Sequence, residues 1–273
     1  DGHVAPADIT NAMAAGARKL GAEICRRTRV TDIKLLPNGE WRVFTEAGNI
    51  DCEHVVNSAG SYCDVVGAWT GHNVPIANML HHYMITEPVQ ELIDLEMELP
   101  VVRDPRSSAY MRQEQKGLLG GPYETKGLHT AYDDGVPWSF DMELLEPDLE
   151  RISPWLELMM KRLPLFEKVG VRRVISGFIA HTPDLTPLVG PAPGPKNVWM
   201  ACGSTTGIAQ GPGCGKYLAQ WIVNGSAEIS MLPFDPRRYG RVHTPAWVRS
   251  RTLESSTHMY DLHPPGYLYH EGR

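Results

Sequence analysis

The sequence predicts a mixed α/β (α+β) fold in which an antiparallel sheet is inserted between two stretches of α/β texture. Two observations carry this. Residues Val171 to Gly225 read as a strand, a Pro-rich excursion, a second strand, a glycine-rich turn and an amphipathic helix. From Leu80 to roughly Pro164 the texture changes to alternating polar and apolar residues broken by turns, the pattern of antiparallel strands. At 273 residues, 42% hydrophobic and 21% charged, the chain is long enough for one large or two modest domains of ordinary globular composition. A net charge of -6 offers no basic footprint, which argues against a nucleic-acid partner. No apolar run of about eighteen residues predicts a membrane span.

Taken in order, Asp8 to Leu20 places Ile9, Met13, Gly16, Ala17 and Leu20 on one helical face, with Gly21 as the stop, and predicts a helix covering a sheet. Ala22 to Cys25 and Val30 to Leu36 read as strands. Pro37-Asn38-Gly39-Glu40 supplies a hairpin turn into Trp41 to Glu46, and Ile50 to Glu53 follows a Gly48-Asn49 turn. His54 to Gly60 is a buried-type strand closed by small residues, with Ser61 to Trp69 as the helix behind it. His81 to Thr86, Ser108 to Gln113 and Gly117 to Gly121 are strands of the inserted sheet, and Pro154 to Leu163 is a helix. Asn197 to Cys202 is a short apolar strand, after which glycines at 203, 207, 211, 213 and 215 open the last helix. Beyond Gly225 periodicity is lost, and from roughly Arg237 onward the tail reads as irregular, poorly ordered chain.

Several features bear on chemistry. A helix N-terminus presents unpaired backbone N–H groups and the positive end of the helix dipole, so the glycine turn before Ile208 suits an anion or a carbonyl-rich ring edge. His81 and His82 are adjacent, and on a strand they point to opposite faces. Tyr110 and Arg112 are two apart and share a face, where a phenol and a guanidinium together can bind a carboxylate. The five cysteines (Cys25, Cys52, Cys63, Cys202, Cys214) contain no C-x-x-C pair and read as reduced core thiols. The eleven histidines include no H-E-x-x-H and no Cys/His cluster, so no metal site is expected, and the absence of G-x-S-x-G leaves serine catalysis unsupported.

The string SGFIAHTPDLTPLVGPAPGPKNVWMACGSTTGIAQGPGCGKYLAQWIVNG resembles the C-terminal flavin-binding segment of the D-amino-acid-oxidase-like FAD oxidoreductases, in particular the dimethylglycine and sarcosine dehydrogenase branch. DGHVAPADITNAMAAGARKLGAEI, HHYMITEP with LPVVRD, and AYMRQEQKGLLGGPYE are similar to the same branch, in the same order. The resemblance implies a Rossmann-like FAD-binding domain, partial here because no G-x-G-x-x-G occurs, with an inserted antiparallel substrate domain. It divides the chain into a first FAD-binding part (1–79), a substrate domain (80–170), a second FAD-binding part (171–232), and a region (233–273) leading toward a folate-binding aminomethyltransferase-like half. On this reading the chain is an internal fragment without the upstream phosphate turn, ribose acid and flavin-linking His.

The implied activity is oxidation of an N-methylated glycine derivative, dimethylglycine or sarcosine, with FAD as cofactor and tetrahydrofolate as an acceptor in the full-length protein. His81 and Tyr110 take catalytic positions and Arg112 a substrate-binding one. Val30 corresponds to the residue whose backbone meets the adenine, and Ala59 and Gly60 lie against the dinucleotide. Val30, Ala59 and Gly60 read equally as ordinary strand packing. Gly177 allows approach to the ring, while Gly203 and the N–H groups of Gly207, Ile208 and Ala209 meet the ring edge. Ala209 stands where related oxidases carry a lysine, which points to a dehydrogenase with an electron-transfer flavoprotein as acceptor. Phe178 in place of a usual Pro, and Thr206 in place of an aromatic or His, leave the amine open. Alternatives are an oxidase of another secondary or tertiary amine, or a non-catalytic regulator. The implied compartment is the cytoplasm of a bacterium or the mitochondrial matrix, not the secretory route.

Overall fold

A computed structural model describes residues 3–141, 143–240 and 242–260. The strands are β1 (Val30–Leu35), β2 (Trp41–Thr45), β3 (Gly48–Cys52), β4 (Val55–Asn57), β5 (Ala77–Thr86), β6 (Val102–Asp104), β7 (Ala109–Glu114), β8 (Gly117–Pro122), β9 (Val171–His181), β10 (Leu188–Pro191) and β11 (Val198–Cys202). The helices are α1 (Pro6–Lys19), α2 (Cys63–Thr70), α3 (Gln90–Ile93), α4 (Leu149–Arg162), α5 (Gly207–Asn224) and α6 (Pro245–Thr257). The mixed α/β class with antiparallel sheets is the one the sequence predicts. The chain forms two compact units, residues 1–75 with 186–243, and residues 76–185 with 244–273.

In the first unit, β1-β2-β3 is an antiparallel sheet whose first turn is the one read from Pro37 to Glu40: Leu36 N–H donates to Glu40 O at 2.8 Å, and Gly39 takes φ 89°. The second turn differs from expectation. Gly48 is already paired with Thr45, so the turn is Glu46-Ala47, held by the Thr45 hydroxyl, which accepts from Ala47 N–H and donates to Gly48 O. The second sheet runs β10-β11-β4, antiparallel between β10 and β11 and parallel between β11 and β4. Helix α5 lays Leu218 against Val189 of β10, with Met231, Trp199 and Trp221 around them. At Gly190, where φ is +147°, an added Cβ would meet the Trp221 ring at 2.8 Å.

The second unit is built on the antiparallel five-stranded sheet β6-β7-β8-β5-β9. One face carries the apolar core: Met84, Ala109, Met111 and Leu118 pack with Met159 of α4 and Phe166. Burying such a side chain stabilises by about 1.5–3 kcal/mol. Gly120 is required here, since a Cβ would sit 2.5 Å from Met159 Sδ. Helix α4 begins five residues before Pro154, earlier than the sequence predicts. The Asp148 carboxylate caps it by accepting from Arg151 N–H at 3.0 Å, and Ile152 is fully buried in its first turn. Cap and burial together outweigh the one backbone bond an interior proline forfeits.

Three other expectations are corrected. Helix α1 forms, but it has no buried residue, with Leu20 91% exposed, so among the described residues it covers no sheet. Ala22–Cys25 is exposed and joins no ladder, because no described strand lies alongside it. The tail is ordered as far as Tyr260. Helix α6 is capped by Thr244 Oγ1, which accepts from Trp247 N–H at 3.3 Å, and it buries Val248, Thr252, Ser255 and Ser256. Three of those four are polar, which is why no hydrophobic period announces the helix. The remainder of the predicted tail, 261–273, lies outside the described residues.

Candidate active site

In the first unit the structure gathers most of the glycine-rich positions at one end of a parallel strand pair. Strands β4 and β11 run in register from Val55↔Val198 to Asn57↔Met200, so the turns that leave them start side by side. Cys202 Sγ donates to Asn57 O at 3.3 Å, while the Asn57 side chain donates to Cys63 O at 2.8 Å and accepts from Ala59 N–H at 3.3 Å. Ala59, Gly60 and Gly203 are thereby brought together, with Gly60 at φ 59° and Gly203 at φ 66°. The C-terminal end of parallel strands is where α/β sheets bind ligands. Helix α5 starts from Gly203's turn. Thr206 gives no side-chain cap, Thr206 to Ala209 are exposed, and Gly207 has nothing closer to its would-be Cβ than Ser204 at 3.7 Å. The first turn of α5 is therefore exposed and carries no side-chain cap. Val30 lies apart, at the start of β1, paired with Thr45.

In the second unit, strand pairing decides which side chains share the sheet face opposite the core. His81 pairs with Gly177 and Ala77 with His181, while Ile85 pairs with Leu119, Leu119 with Arg112, and Gly121 with Tyr110. His81, His181, Tyr110, Arg112 and the two glycines therefore lie on one face. His81 Nε2 is 3.2 Å from Tyr110 Oη. Tyr110's ring lies over Gly121, where a Cβ would come within 2.2 Å of it, whereas nothing lies within 4 Å of a Cβ at Gly177. The sheet is thus filled beside Tyr110 and open beside His81. Tyr123 stacks on His81 with ring centroids 4.5 Å apart, Tyr260 stacks on Tyr123 at 4.7 Å, and the Arg103 guanidinium lies 4.2 Å from the Tyr260 centroid. Desolvation, then the neighbouring His181, His82 and Arg151, lower the His81 pKa to about 3, and burial pushes both Tyr110 and Tyr123 upward. Both members of the His81–Tyr110 pair are neutral near pH 7. Arg112 is engaged by the Glu114 carboxylate and by Gln113 O.

His82 faces the other way, as adjacency on a strand requires. Its Nε2 accepts from Asp148 N–H at 3.1 Å and its Nδ1 faces Arg151 Nη2 at 2.9 Å. Both neighbours are donors and a neutral imidazole has one acceptor nitrogen, so the ring satisfies one of them at a time and protonation would repel both. Burial and Arg151 lower its pKa to about 4. Arg151 in turn lies 2.7 Å from Glu124, both side chains less than a tenth exposed. Removing one partner of a buried pair leaves an uncompensated charge, so Arg151→Leu is expected to cost about 3–5 kcal/mol. Denaturant titration of the variant checks it, and a midpoint equal to wild type would show the pair to be unimportant.

Sequence reasoning missed Tyr123, Tyr260 and the Glu124–Arg151 pair. Tyr123 had a local signal, since it follows Gly121 by two residues and so shares its face. Glu124 and Arg151 had none, because their partnership joins residues 27 apart across a loop.

A fold shared with amino-acid oxidoreductases is established by solved structures. The L-proline dehydrogenase from P. horikoshii superposes with a TM-score of 0.71 at 25% identity, covering 85% of this chain and 59% of that one. Glycine oxidase from Geobacillus kaustophilus superposes with a TM-score of 0.67 at 18% identity, covering 85% of this chain and 58% of that one. The family described as FAD dependent oxidoreductase matches residues 1–221, and its central domain matches residues 224–273. The chain belongs to the FAD dependent oxidoreductase family. It is 40% identical to mitochondrial dimethylglycine dehydrogenase of Mus musculus over 93% of this chain, and 33% identical to mitochondrial sarcosine dehydrogenase of Homo sapiens over 96% of it. The chain spans 30% and 29% of those two proteins. No described helix is long and apolar enough to cross a membrane, and no described cluster of His, Cys, Asp and Glu could hold a metal ion.

Proposed function

We propose that this chain is part of an FAD-dependent enzyme that oxidatively demethylates an N-methylated glycine derivative, dimethylglycine or sarcosine. The observation that carries the reading is the neutral His81–Tyr110 pair beside the open surface of Gly177. FAD, when bound, accepts a hydride from the N-methyl carbon at its N5. The open N-terminus of α5 fits the carbonyl edge of such a ring, with Gly207, Ile208 and Ala209 as N–H donors and Gly203, Ala59 and Gly60 permitting close approach. Val30 is assigned to the adenine end. His81, uncharged and desolvated, presents a surround that disfavours the ammonium and so holds the amine in its neutral form, since only a free lone pair expels a hydride. Tyr110 orients His81. Arg112 binds the substrate carboxylate by exchanging it for Glu114.

On this reading residues 1–79 and 171–232 serve FAD, 80–170 serve the substrate, and 233–273 lead toward a folate-binding half where tetrahydrofolate accepts the one-carbon unit. Ala209, which leaves the turn without a cation, favours an electron-transfer flavoprotein over oxygen. The leading relatives are mitochondrial by name, which favours the mitochondrial matrix in a eukaryote and the cytoplasm in a bacterium. The test is the visible spectrum of the native full-length protein, recorded anaerobically before and after addition of dimethylglycine or sarcosine. Bleaching of the flavin band is expected. A bound flavin that neither amine bleaches would point to another amine, as in the 4-methylaminobutanoate oxidase that is 29% identical to this chain. A protein without flavin would favour the regulatory alternative, for which the 27% identical pyruvate dehydrogenase phosphatase regulatory subunit is the precedent.

A further inference from the structure

A small recess lies beside His81 in the second unit. His81, Glu124, His181 and Ser256 supply its polar lining and Met79 and Ile179 apolar wall, and its free space matches about one water molecule. Two buried polar atoms of this lining are left without hydrogen bonds, His181 Nε2 and Glu124 Oε1. Both side chains are 3% exposed. Glu124 Oε1 has Arg151 at 2.7 Å as an ion partner but not in hydrogen-bond alignment. A buried polar atom without a partner costs about 1–3 kcal/mol, so His181 Nε2, in a recess of this size that the Glu124 carboxylate also lines, calls for a ligand.

We propose that the recess holds an ordered water on His181 Nε2 and the Glu124 carboxylate, and that His181 is the general base that delivers this water to the substrate iminium. The proposal rests on the amine oxidation put forward above, which leaves a CH2=N iminium beside His81. Ser256 Oγ lies 3.0 Å from His181 Nδ1 and can accept from Nδ1–H, and in the tautomer this proposal requires it does so while Nε2 keeps its lone pair. The water oxygen bonds to the iminium carbon, the C=N π pair moves onto nitrogen, and the water proton passes to His181 Nε2. His181 passes this proton to the carbinolamine nitrogen and then takes up the hydroxyl proton as the C–N bond breaks, giving free amine and formaldehyde, and it finally releases that proton to water, so that iminium and water become amine, formaldehyde and H+. No electron is gained or lost. His181 is held neutral by burial, with its pKa lowered to about 4, so it is ready to accept a proton throughout the neutral range. A weak base suffices because an iminium is a strong electrophile. Helix α6, which contributes Ser256 and is also pinned by Ser255 Oγ donating to Pro183 O at 2.6 Å, thereby takes part in product formation.

The experiment uses the native full-length flavoprotein in single turnover, following flavin bleaching and formaldehyde release together. In His181→Gln, which keeps a polar side chain and removes the base, the ratio of the release rate to the bleaching rate is expected to fall about 10²-fold. Ser256→Ala, which keeps the imidazole, is expected to lower the same ratio by a smaller factor, and it carries the test if His181→Gln does not fold. A crystal structure is expected to show one water within hydrogen-bond reach of His181 Nε2 and the Glu124 carboxylate. Bleaching with a ratio unchanged in both variants, or an empty recess, overturns this proposal alone. A flavin that no N-methyl amine bleaches overturns the amine reading and this proposal with it.

Discussion

His81→Ala in the native flavoprotein should lower the rate of substrate-dependent flavin bleaching by about 10²- to 10⁴-fold, the range spanned by a single positioned acid–base group. The expected loss is large because Gly177 beside it has no side chain to fill the gap, and Tyr110 meets it at 3.2 Å as a partner rather than a substitute. Tyr110→Phe should lose less, because the ring that packs on Gly121 remains and only the hydroxyl is removed. The pH profile separates a binding role from a titrating one. With a pKa near 3, His81 is neutral at every pH from 5 to 9, so it contributes no limb to the rate profile. Any rise with pH in that window then belongs to the amine of the substrate, and its midpoint should move when one amine is exchanged for another. Wild-type bleaching rates retained in His81→Ala would remove the residue from the mechanism.

How much of this was legible in the sequence depended on whether the signal was local. Adjacency alone separates His81 from His82, and the structure sends them to opposite faces, one to Tyr110 and the other to Arg151. The glycine turn and α5 were legible because an apolar strand end, a run of glycines and a helical period coincide within one short stretch. Helix α6 was not, since it buries Thr252, Ser255 and Ser256 rather than an apolar stripe. The strand β10 was hidden in the Pro-rich excursion because Leu188–Pro191 is only four residues long and takes its order from pairing with Trp199–Cys202. The recess at His181 depends on residues from β5, the end of β8, β9 and α6, and no spacing in a linear sequence reports such a meeting.

The protein should lose stability as pH falls from 6.5 toward 4, well above the range where carboxylates usually titrate. His72, His82 and His181 are each less than a tenth exposed, and burial lowers each pKa from 6.5 to about 4. A folded-state pKa below the unfolded value means that the unfolded chain binds more protons in that window, so stability is complete above pH 6.5 and falls with acid. At pH 5 each group removes about 2 kcal/mol, against a typical total of about 5–15 kcal/mol. His82 and His181 belong to the second unit, with His81 shifted in the same direction, while His72 belongs to the first. The second unit should therefore soften first. Glu124, raised by burial, works in the opposite sense as it takes up a proton in the fold, which offsets part of the loss. Thermal unfolding at pH 8, 7, 6 and 5 checks this: Tm should be nearly flat between the first two and drop steeply below. His181→Gln should reduce the slope by about 1.4 kcal/mol per pH unit between 6.5 and 4, the contribution of one proton. A Tm as high at pH 5 as at pH 7 would mean that these rings are protonated in the folded state. For His181 the lone pair on which its action as a base depends would then be lost at pH 5, instead of being kept down to about pH 4.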